Sequence, residues 1–455
     1  MQILTVQMNI AGEWRDVALV EFYAPDKGTG GPCVLNYEIE HVTSYFHQFA
    51  QTAVSVSLPV DNIPLRSPHW HRFLEDIMPA GSSRDYWVKR LGLQDLPNLE
   101  RDFQLLKYGT IAPIGNLRIK ESVPEKAKRS LPVTFSIADV SELQIDFIEY
   151  AQSRGAAAGG ASGAGGAAPK LLVRLNAQQD VWIDTFQDDP RNLDQPYLVK
   201  FPRGKTTLDG DILRAEYHFY HELTQLGFET ISVESMKLIE AERGPSLWLP
   251  RFDYGVEAGA MVSYGMESVY AILGEPTAKP LLHADVIRRL LAEFNKKENY
   301  GNTRTPLDVE AGLEGKSGIG AFVVEWVRRD LLNIAFGNSD NHGRNTSFIK
   351  YGNRVQLAPI YDFAPMKADY EMITRTFTWG EGMELGGVYN FPAIAEHLSD
   401  LLSPNELMSA LNETAARLLG LEQRLRQRGV PESILAHSGI GFATLEARMQ
   451  QWGLL

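Results

Sequence analysis

Cysteine is almost absent from this chain: one residue in 455, Cys33. That excludes a disulfide framework and any zinc site built from several cysteines. Long apolar runs are also missing. No stretch approaches the roughly 18 residues that a helix needs to cross a bilayer, and the longest candidates are soon broken by Arg, Glu or Asp. The opening MQILTVQMNIAGEWRD has no basic region followed by an uninterrupted apolar one, so no secretory leader is expected and the cytoplasm is the expected compartment. Positive charge is in deficit, with 44 Lys+Arg against 57 Asp+Glu and a formal charge of −13. This argues against tight nucleic-acid binding by this chain alone, because phosphate contacts need a basic surface. What is present, 44% hydrophobic and 22% charged residues, is ordinary for a cored protein. The length corresponds to roughly two to three domains at about 150 residues each.

Residues 1–115 read as mixed α and β. ILTVQMNI and AVSVSLPV have strand patterns between Gly, Pro and Asn punctuation, and HWHRFLEDIMP and SRDYWVKRLGL are short helical patches. RIKESVPEKAKRSLP suits a solvated linker, and ADVSELQIDFIEYAQSRG has helical spacing. The strongest compositional break follows at residues 155–168, GAAAGGASGAGGAA. By composition it is a flexible linker. Its place before the strand-like LLVRL, DVWIDTF and PYLVKFP also suits a backbone cover for phosphates, since glycine lets N–H groups approach closely. Two standard motifs fail here. The GxGxxG/A match at 163–168 stands in a helix–loop–strand order instead of strand–loop–helix, and the run ends Ala-Pro-Lys instead of Gly-Lys-Ser/Thr. A helix is predicted over about 207–226, with Asp209 as N-cap and Gly227 closing it. SVESMKLIEA and SLWLPRF resemble strands, and from Leu281 onward helical patterns dominate.

The most informative segment is NSDNHGRN at 338–345, followed by two strand-like runs joined at Tyr351-Gly352-Asn353 and then by Asp362-Phe363-Ala364. Phosphoryl transfer from ATP needs an acid that takes or orients the nucleophile's proton, and oxygen ligands that hold Mg²⁺ against the phosphates. Protein kinases place these as D-x-x-x-x-N on a loop and D-F-G after a hairpin. Asp340 and Asn345 have the first spacing, and Asp362 has the second position. Lys200 in the strand YLVKFP is placed as the phosphate lysine, with Glu216 as its helix partner and Glu222 and Asp211 as alternatives. An Asx-turn loop is the bland reading of NSDNHGRN. A calcium loop fits poorly because Ile349 stands where Glu is needed, and His342 lacks a second zinc ligand at suitable spacing.

These residues resemble the HipA family, the serine/threonine kinase toxins of bacterial type II toxin–antitoxin modules. The likeness covers nearly the whole chain. SVSLPVDNIPLRSPHWHRFLEDIMPAG and LLKYGTIAPIGNLRI resemble the family's N-terminal subdomain, and GGAAPKLLVRL its Gly-rich loop and first strand. YLVKFP resembles the lysine strand, LPRFDY the hinge, GNSDNHGRNTSFI the catalytic loop and LAPIYDFAPM the metal segment. The resemblance implies Asp340 as catalytic base, Asn345 and Asp362 as Mg²⁺ ligands, and Lys200 on ATP phosphate, assisted by Lys170 and the loop glycines Gly165 and Gly166. It places His342 and Tyr361 close to the nucleotide and Arg251 and Phe252 at the adenine-side hinge. Two departures stand out. The family's autophosphorylated loop serine aligns with Gly163, leaving Ser162 one residue away as a possible autophosphorylation site. Pro250 occupies a hinge position where an N–H is expected, and proline has none.

The expected fold is therefore α+β: a bilobal protein-kinase-like, HipA-like fold with a small mixed α/β N-terminal subdomain (1–120), a kinase N-lobe-like region (121–252) and a helical C-lobe (253–455). The expected activity is ATP-dependent serine/threonine protein kinase, and the resemblance implies a substrate such as an aminoacyl-tRNA synthetase. It also implies a small helix-turn-helix antitoxin of HipB type that contacts DNA on the complex's behalf, and no membrane role. The rivals are a small-molecule or lipid-headgroup kinase, which the D-x-H-x-x-N loop permits, and a non-catalytic nucleotide-binding corepressor.

Overall fold

The computed structural model describes residues 1–111, 113–123, 133–143, 169–183, 189–295 and 318–455. The chain divides into two compact units, each assembled from separate stretches. The first is Met1–Arg203, Ser235–Thr277 and Ser347–Arg354; the second is Gly204–Glu234, Ala278–Thr346 and Val355–Leu455. The Gly-rich run 155–168, with Ser162, Gly165 and Gly166, lies outside the described residues.

The first unit holds two five-stranded antiparallel sheets. In one, β1 (Gln2–Ile10), β2 (Glu13–Phe22), β3 (Cys33–Tyr37), β4 (Leu65–Ser67) and β5 (Leu117–Ile119) lie in the order β4-β3-β2-β1-β5. Leu4, Val6 and Met8 of β1 are buried and alternate with half-buried Thr5 and Gln7, the period-two pattern of a strand with one covered face. Ala11 and Gly12 join β1 to β2 with φ of 53° and 85°, the two-residue turn whose twist matches the strands it connects. On the covered face Phe22 packs edge-on against Trp70, in a connecting segment, and Phe103, on the helix Asn98–Tyr108, with centroids 4.8 and 5.4 Å apart.

AVSVSLPV does not form the expected strand. Only an isolated bridge, Ser55 to Leu58, occurs there. Side chains take the place of a ladder. The Val54 N–H donates to the Tyr37 hydroxyl (3.1 Å) and the Val56 N–H to Glu267 Oε2 (2.8 Å), while Lys350 Nζ donates to the carbonyl of Ala53 (3.1 Å). Glu267 and Lys350 are themselves a 3.2 Å ion pair, each side chain about 1% exposed. They stand on adjacent strands, Gly265–Ser268 and Ser347–Tyr351. An apolar run can thus leave the strand pattern when buried polar side chains satisfy its backbone instead.

The second sheet contains β6 (Lys170–Leu175), β7 (Val181–Trp182), β8 (Gln195–Lys200), β9 (Lys237–Ile239) and β10 (Ser246–Pro250), ordered β7-β6-β8-β10-β9. These are the strands expected from LLVRL, DVWIDTF, PYLVKFP, SVESMKLIEA and SLWLPRF. Val173, Leu175, Val181, Tyr197, Val199 and Trp248 form their core.

The second unit is mainly helical. α1 (Thr207–Gln225) begins two residues before the predicted cap: Thr206 is the N-cap, its Oγ1 accepting from Asp209 N (3.2 Å) while Asp209 Oδ2 accepts from Thr206 N (2.9 Å). Asp209 closes a capping box instead of opening the helix. Gly227, at φ 83°, ends it as expected. α2 (His283–Asn295) buries His283, Val286, Ile287, Leu290 and Phe294 at helical spacing, and α3 (Ile319–Phe336) buries Phe322, Val323, Trp326, Val327 and Asp330. α4 (Leu421–Arg428) supplies two arginines, Arg424 and Arg428, to Glu222 of α1. Among the described residues no helix is long and apolar enough to cross a membrane.

Candidate active site

α3 ends at Gly337, whose φ of 72° turns the chain out of the helix; a Cβ there would meet Ile440 at 2.8 Å. The loop that follows is held by its own polar groups. Asn338 donates its backbone N–H to Asn333 O (2.8 Å) and accepts the Asp340 N–H on Oδ1 (3.2 Å), an Asx-type turn. The His342 carbonyl accepts from Asn345 N (2.9 Å), and His342 Nδ1 accepts the Arg344 N–H (3.1 Å). The turn reading of NSDNHGRN is satisfied, and the turn brings Asp340, His342 and Asn345 together in one loop.

Within this loop Asn345 Nδ2 donates to the Asp340 carbonyl (2.8 Å) and reaches its carboxylate Oδ2 at 3.3 Å. Because both partners are acceptors, the amide orientation is fixed and Asn345 Oδ1 points elsewhere. That oxygen is buried and has no hydrogen-bond partner among the described residues. With Nδ1 of His342 accepting, its proton sits on Nε2, which lies 3.4 Å from Asp340 Oδ1. Burial lowers the His342 pKa against the opposing pull of the Asp340 and Asp362 charges. A polar pocket beside the loop is lined by Asp340, Asn341, Asn345, Asn333, Asn338 and Tyr361, among others.

The predicted metal segment belongs to the same unit. Ile360 is pinned by a parallel bridge to Thr230, with Ile360 N donating to Glu229 O (2.9 Å) and Thr230 Oγ1 to Ile360 O (2.9 Å). Tyr361, buried, donates its hydroxyl to the Arg344 carbonyl at 2.5 Å and so braces the 338–345 loop. Asp362 takes φ of 52°, the left-handed region, which Asp tolerates better than most residues. Phe363 is held twice. Its ring sits 5.3 Å from Phe336 and 6.3 Å from Phe219, and its N–H donates to the Tyr220 hydroxyl (3.2 Å), which in turn donates to Glu216 Oε1 (2.9 Å). Burial, with the charges of Glu216 and Asp362, pushes the Tyr220 pKa well up and keeps it a donor. Of the three carboxylates considered for Lys200, Glu222 is bonded to Arg424 (2.6 Å) and Arg428 (2.7 Å), and Asp211 to Arg214 (2.9 Å) and Ser433 (2.6 Å). Glu216 accepts from Tyr220.

Do these residues suit a divalent cation? Among the described residues no group of three or more His, Cys, Asp or Glu could hold a metal by itself. Asn345 and Asp362 offer one amide and one carboxylate oxygen. Such a set suits Mg²⁺, which keeps water and takes phosphate oxygens to fill its shell. The buried, unsatisfied Asn345 Oδ1 fits that role.

In the first unit Lys170 and Lys200 are direct cross-strand partners on β6 and β8, both buried. Opposed residues share a face, so the two ammonium stems leave the sheet on the same side, an arrangement suited to an anion with several charges. Arg251 is buried beside Asp253: Nε donates to Oδ1 (2.9 Å), Nη2 to Oδ2, and the guanidinium lies 4.6 Å from the Tyr254 ring centroid. Asp253 also accepts from Gly115 N (2.8 Å). The Arg251 side chain therefore braces a corner of its own unit, with half-buried Phe252 next to it. Pro250 stands opposite Tyr197, and the first N–H past it, from Arg251, goes to Pro196 O (3.0 Å).

Sequence reasoning missed Tyr220, Asp330 and Asn341. Asp330 carried one usable signal, an acidic residue on the apolar face of the helix leading into the loop; Tyr220 looked like any buried helix aromatic.

Family comparisons agree with this layout. The sequence model described as "HipA-like C-terminal domain" matches residues 162–420, and that described as "HipA N-terminal domain" matches residues 33–120. No curated protein matches. Among solved structures the chain is similar to a chain of the Shewanella oneidensis MR-1 toxin–antitoxin complex of HipA, HipB and operator DNA, at 17% identity, 99% coverage of this chain, 97% of that chain and a TM-score of 0.60. It is also matched to the Helicobacter pylori proinflammatory kinase CtkA, at 14% identity, 57% coverage of this chain, 85% of that chain and a TM-score of 0.35. The first likeness shows a shared mixed α/β fold of HipA type. The C-terminal match alone spans more than half the chain and contains the loop, the metal segment and both lysine strands: this chain belongs to the HipA family.

Proposed function

We propose that the chain is an ATP-dependent kinase of the HipA toxin type, moving the γ-phosphoryl group of ATP to a serine or threonine hydroxyl of a protein. The observation that supports this most is the Asp340–Asn345 pair, in which the Asn345 amide N–H groups hold the Asp340 carbonyl (2.8 Å) and reach its carboxylate (3.3 Å) while the amide oxygen is buried and free to meet a cation. Asp340 would accept the hydroxyl proton as the new O–P bond forms and ADP leaves, with the His342 N–H and the Asn345 amide orienting its carboxylate. Asn345 and Asp362 would hold Mg²⁺, whose charge offsets that of the phosphates. Lys200, assisted by Lys170, would meet the phosphates of ATP, with the segments 1–120, 121–252 and 253–455 as subdomain, N-lobe and C-lobe.

The family likeness supports a translation-related substrate such as an aminoacyl-tRNA synthetase, and a cytoplasmic setting. The solved S. oneidensis complex contains HipA with HipB and operator DNA. By analogy, a small helix-turn-helix antitoxin of HipB type is the proposed partner here, and it would carry the DNA contacts. The test is phosphate transfer from γ-labelled ATP by the purified chain, followed by identification of the labelled protein. Asp340→Asn and Asp362→Asn should lower the rate by on the order of 10²–10⁴-fold with Tm unchanged. Undiminished transfer by Asp340→Asn would refute the assignment.

A further inference from the structure

We propose that Asp330 is a positioning residue for the catalytic loop, holding Asn341 and through it the neighbouring Asp340. The inference rests on the kinase reading above. Asp330 lies on α3, ten residues before Asp340, and is 2% exposed. Its two oxygens are filled by donors from four places in the second unit. Asn341 Nδ2 donates to Oδ1 (2.9 Å) and His283 Nε2 lies 3.2 Å from the same oxygen. Trp379 Nε1 donates to Oδ2 (2.8 Å), and Arg375 Nη2 donates at 2.9 Å. Trp326 Nε1 donates to His283 Nδ1 (3.0 Å), which leaves the imidazole proton on Nε2, aimed at Asp330. A carboxylate has about four lone-pair sites, and all are used.

The geometry singles out Asn341. Its side chain is tied to Asp330, and its carbonyl accepts from both Thr376 N (3.0 Å) and Phe377 N (3.2 Å). The residue between Asp340 and His342 is therefore clamped at side chain and main chain. Its anchor is joined through Arg375 to Glu384, at 3.2 Å. Burying a carboxylate here is costly unless it is fully bonded, so an apolar residue would serve the packing better. What an apolar residue could not do is hold the loop.

The test uses the full chain with Asn341→Ala, Asp330→Asn and the double variant. Asn341→Ala should lower kcat by on the order of 10²-fold, leave KM for ATP within about twofold, and lower Tm by no more than a few degrees. Hydrogen exchange at the amides of residues 340–345 should rise by about tenfold or more, while exchange in α2 and α3 stays slow. The double variant should be no slower than the worse single one. If Asp330→Asn does not fold, Asn341→Ala with its exchange pattern decides alone. Unchanged kcat and unchanged loop exchange in Asn341→Ala would overturn the proposal, as would additive losses in the double variant. If the unmodified chain transfers no phosphate, the kinase reading fails by itself; loop exchange then still reports whether Asp330 holds Asn341.

Discussion

At the residue scale, Tyr220 connects two features seen separately in the sequence. Its hydroxyl donates to Glu216 on α1 and accepts from the Phe363 N–H, so the position after Asp362 is set by a side chain more than 140 residues away. Tyr220→Phe keeps the ring in its core but leaves a buried N–H and a buried carboxylate each one partner short. Loss of a partner at a buried polar group costs about 1–3 kcal/mol. The variant should lose roughly 2–4 kcal/mol in urea unfolding on that basis, and phosphoryl transfer should fall with it because Asp362 rides on the same backbone. Unchanged stability would show that the two bonds are matched by water in the unfolded state.

At the scale of elements, the join between α1 and α4 depends on one buried group. Glu222 is fully buried and accepts from Arg424 and Arg428 of α4, whose guanidiniums remain about a quarter exposed. Removing one partner of a buried pair costs about 3–5 kcal/mol, and the arginines' access to water reduces that. Glu222→Ala should therefore destabilise by roughly 2–4 kcal/mol in denaturant titration, whereas Glu422→Ala, whose partner Arg426 is half exposed, should change little. The sequence made some of these relationships visible and hid others for a plain reason. The D-x-x-x-x-N loop and Asp362-Phe363-Ala364 are contiguous, so spacing alone could reveal them. The helix ends and the strands of the second sheet follow local capping and periodicity. Asp330 with Asn341, Tyr220 with Phe363 and Glu222 with Arg428 are tertiary pairs, and no local period encodes them. AVSVSLPV was misread because its backbone partners, Tyr37, Glu267 and Lys350, lie elsewhere in the chain.

At the scale of the whole molecule, the acidic balance shapes what the chain can bind. With 57 acidic against 44 basic residues, it has little to offer a phosphate backbone. In fluorescence anisotropy at about 150 mM salt the chain alone should leave a short DNA duplex free, and should join it only when a basic helix-turn-helix partner is added. Submicromolar binding by the chain alone would contradict that division of roles.

The buried Glu267–Lys350 pair sets an order on biosynthesis. The first unit is closed by Ser347–Arg354, so its N-terminal part leaves the ribosome long before the strand that completes it. Until Lys350 emerges, Glu267 has no counter-ion for a site where its side chain is about 1% exposed. Lys350 follows Asp340 and Asn345 by only a few residues. A nascent chain would thus acquire the Asp340–Asn345 loop and the ability to close its first unit at nearly the same moment, and products terminated before that loop would have neither.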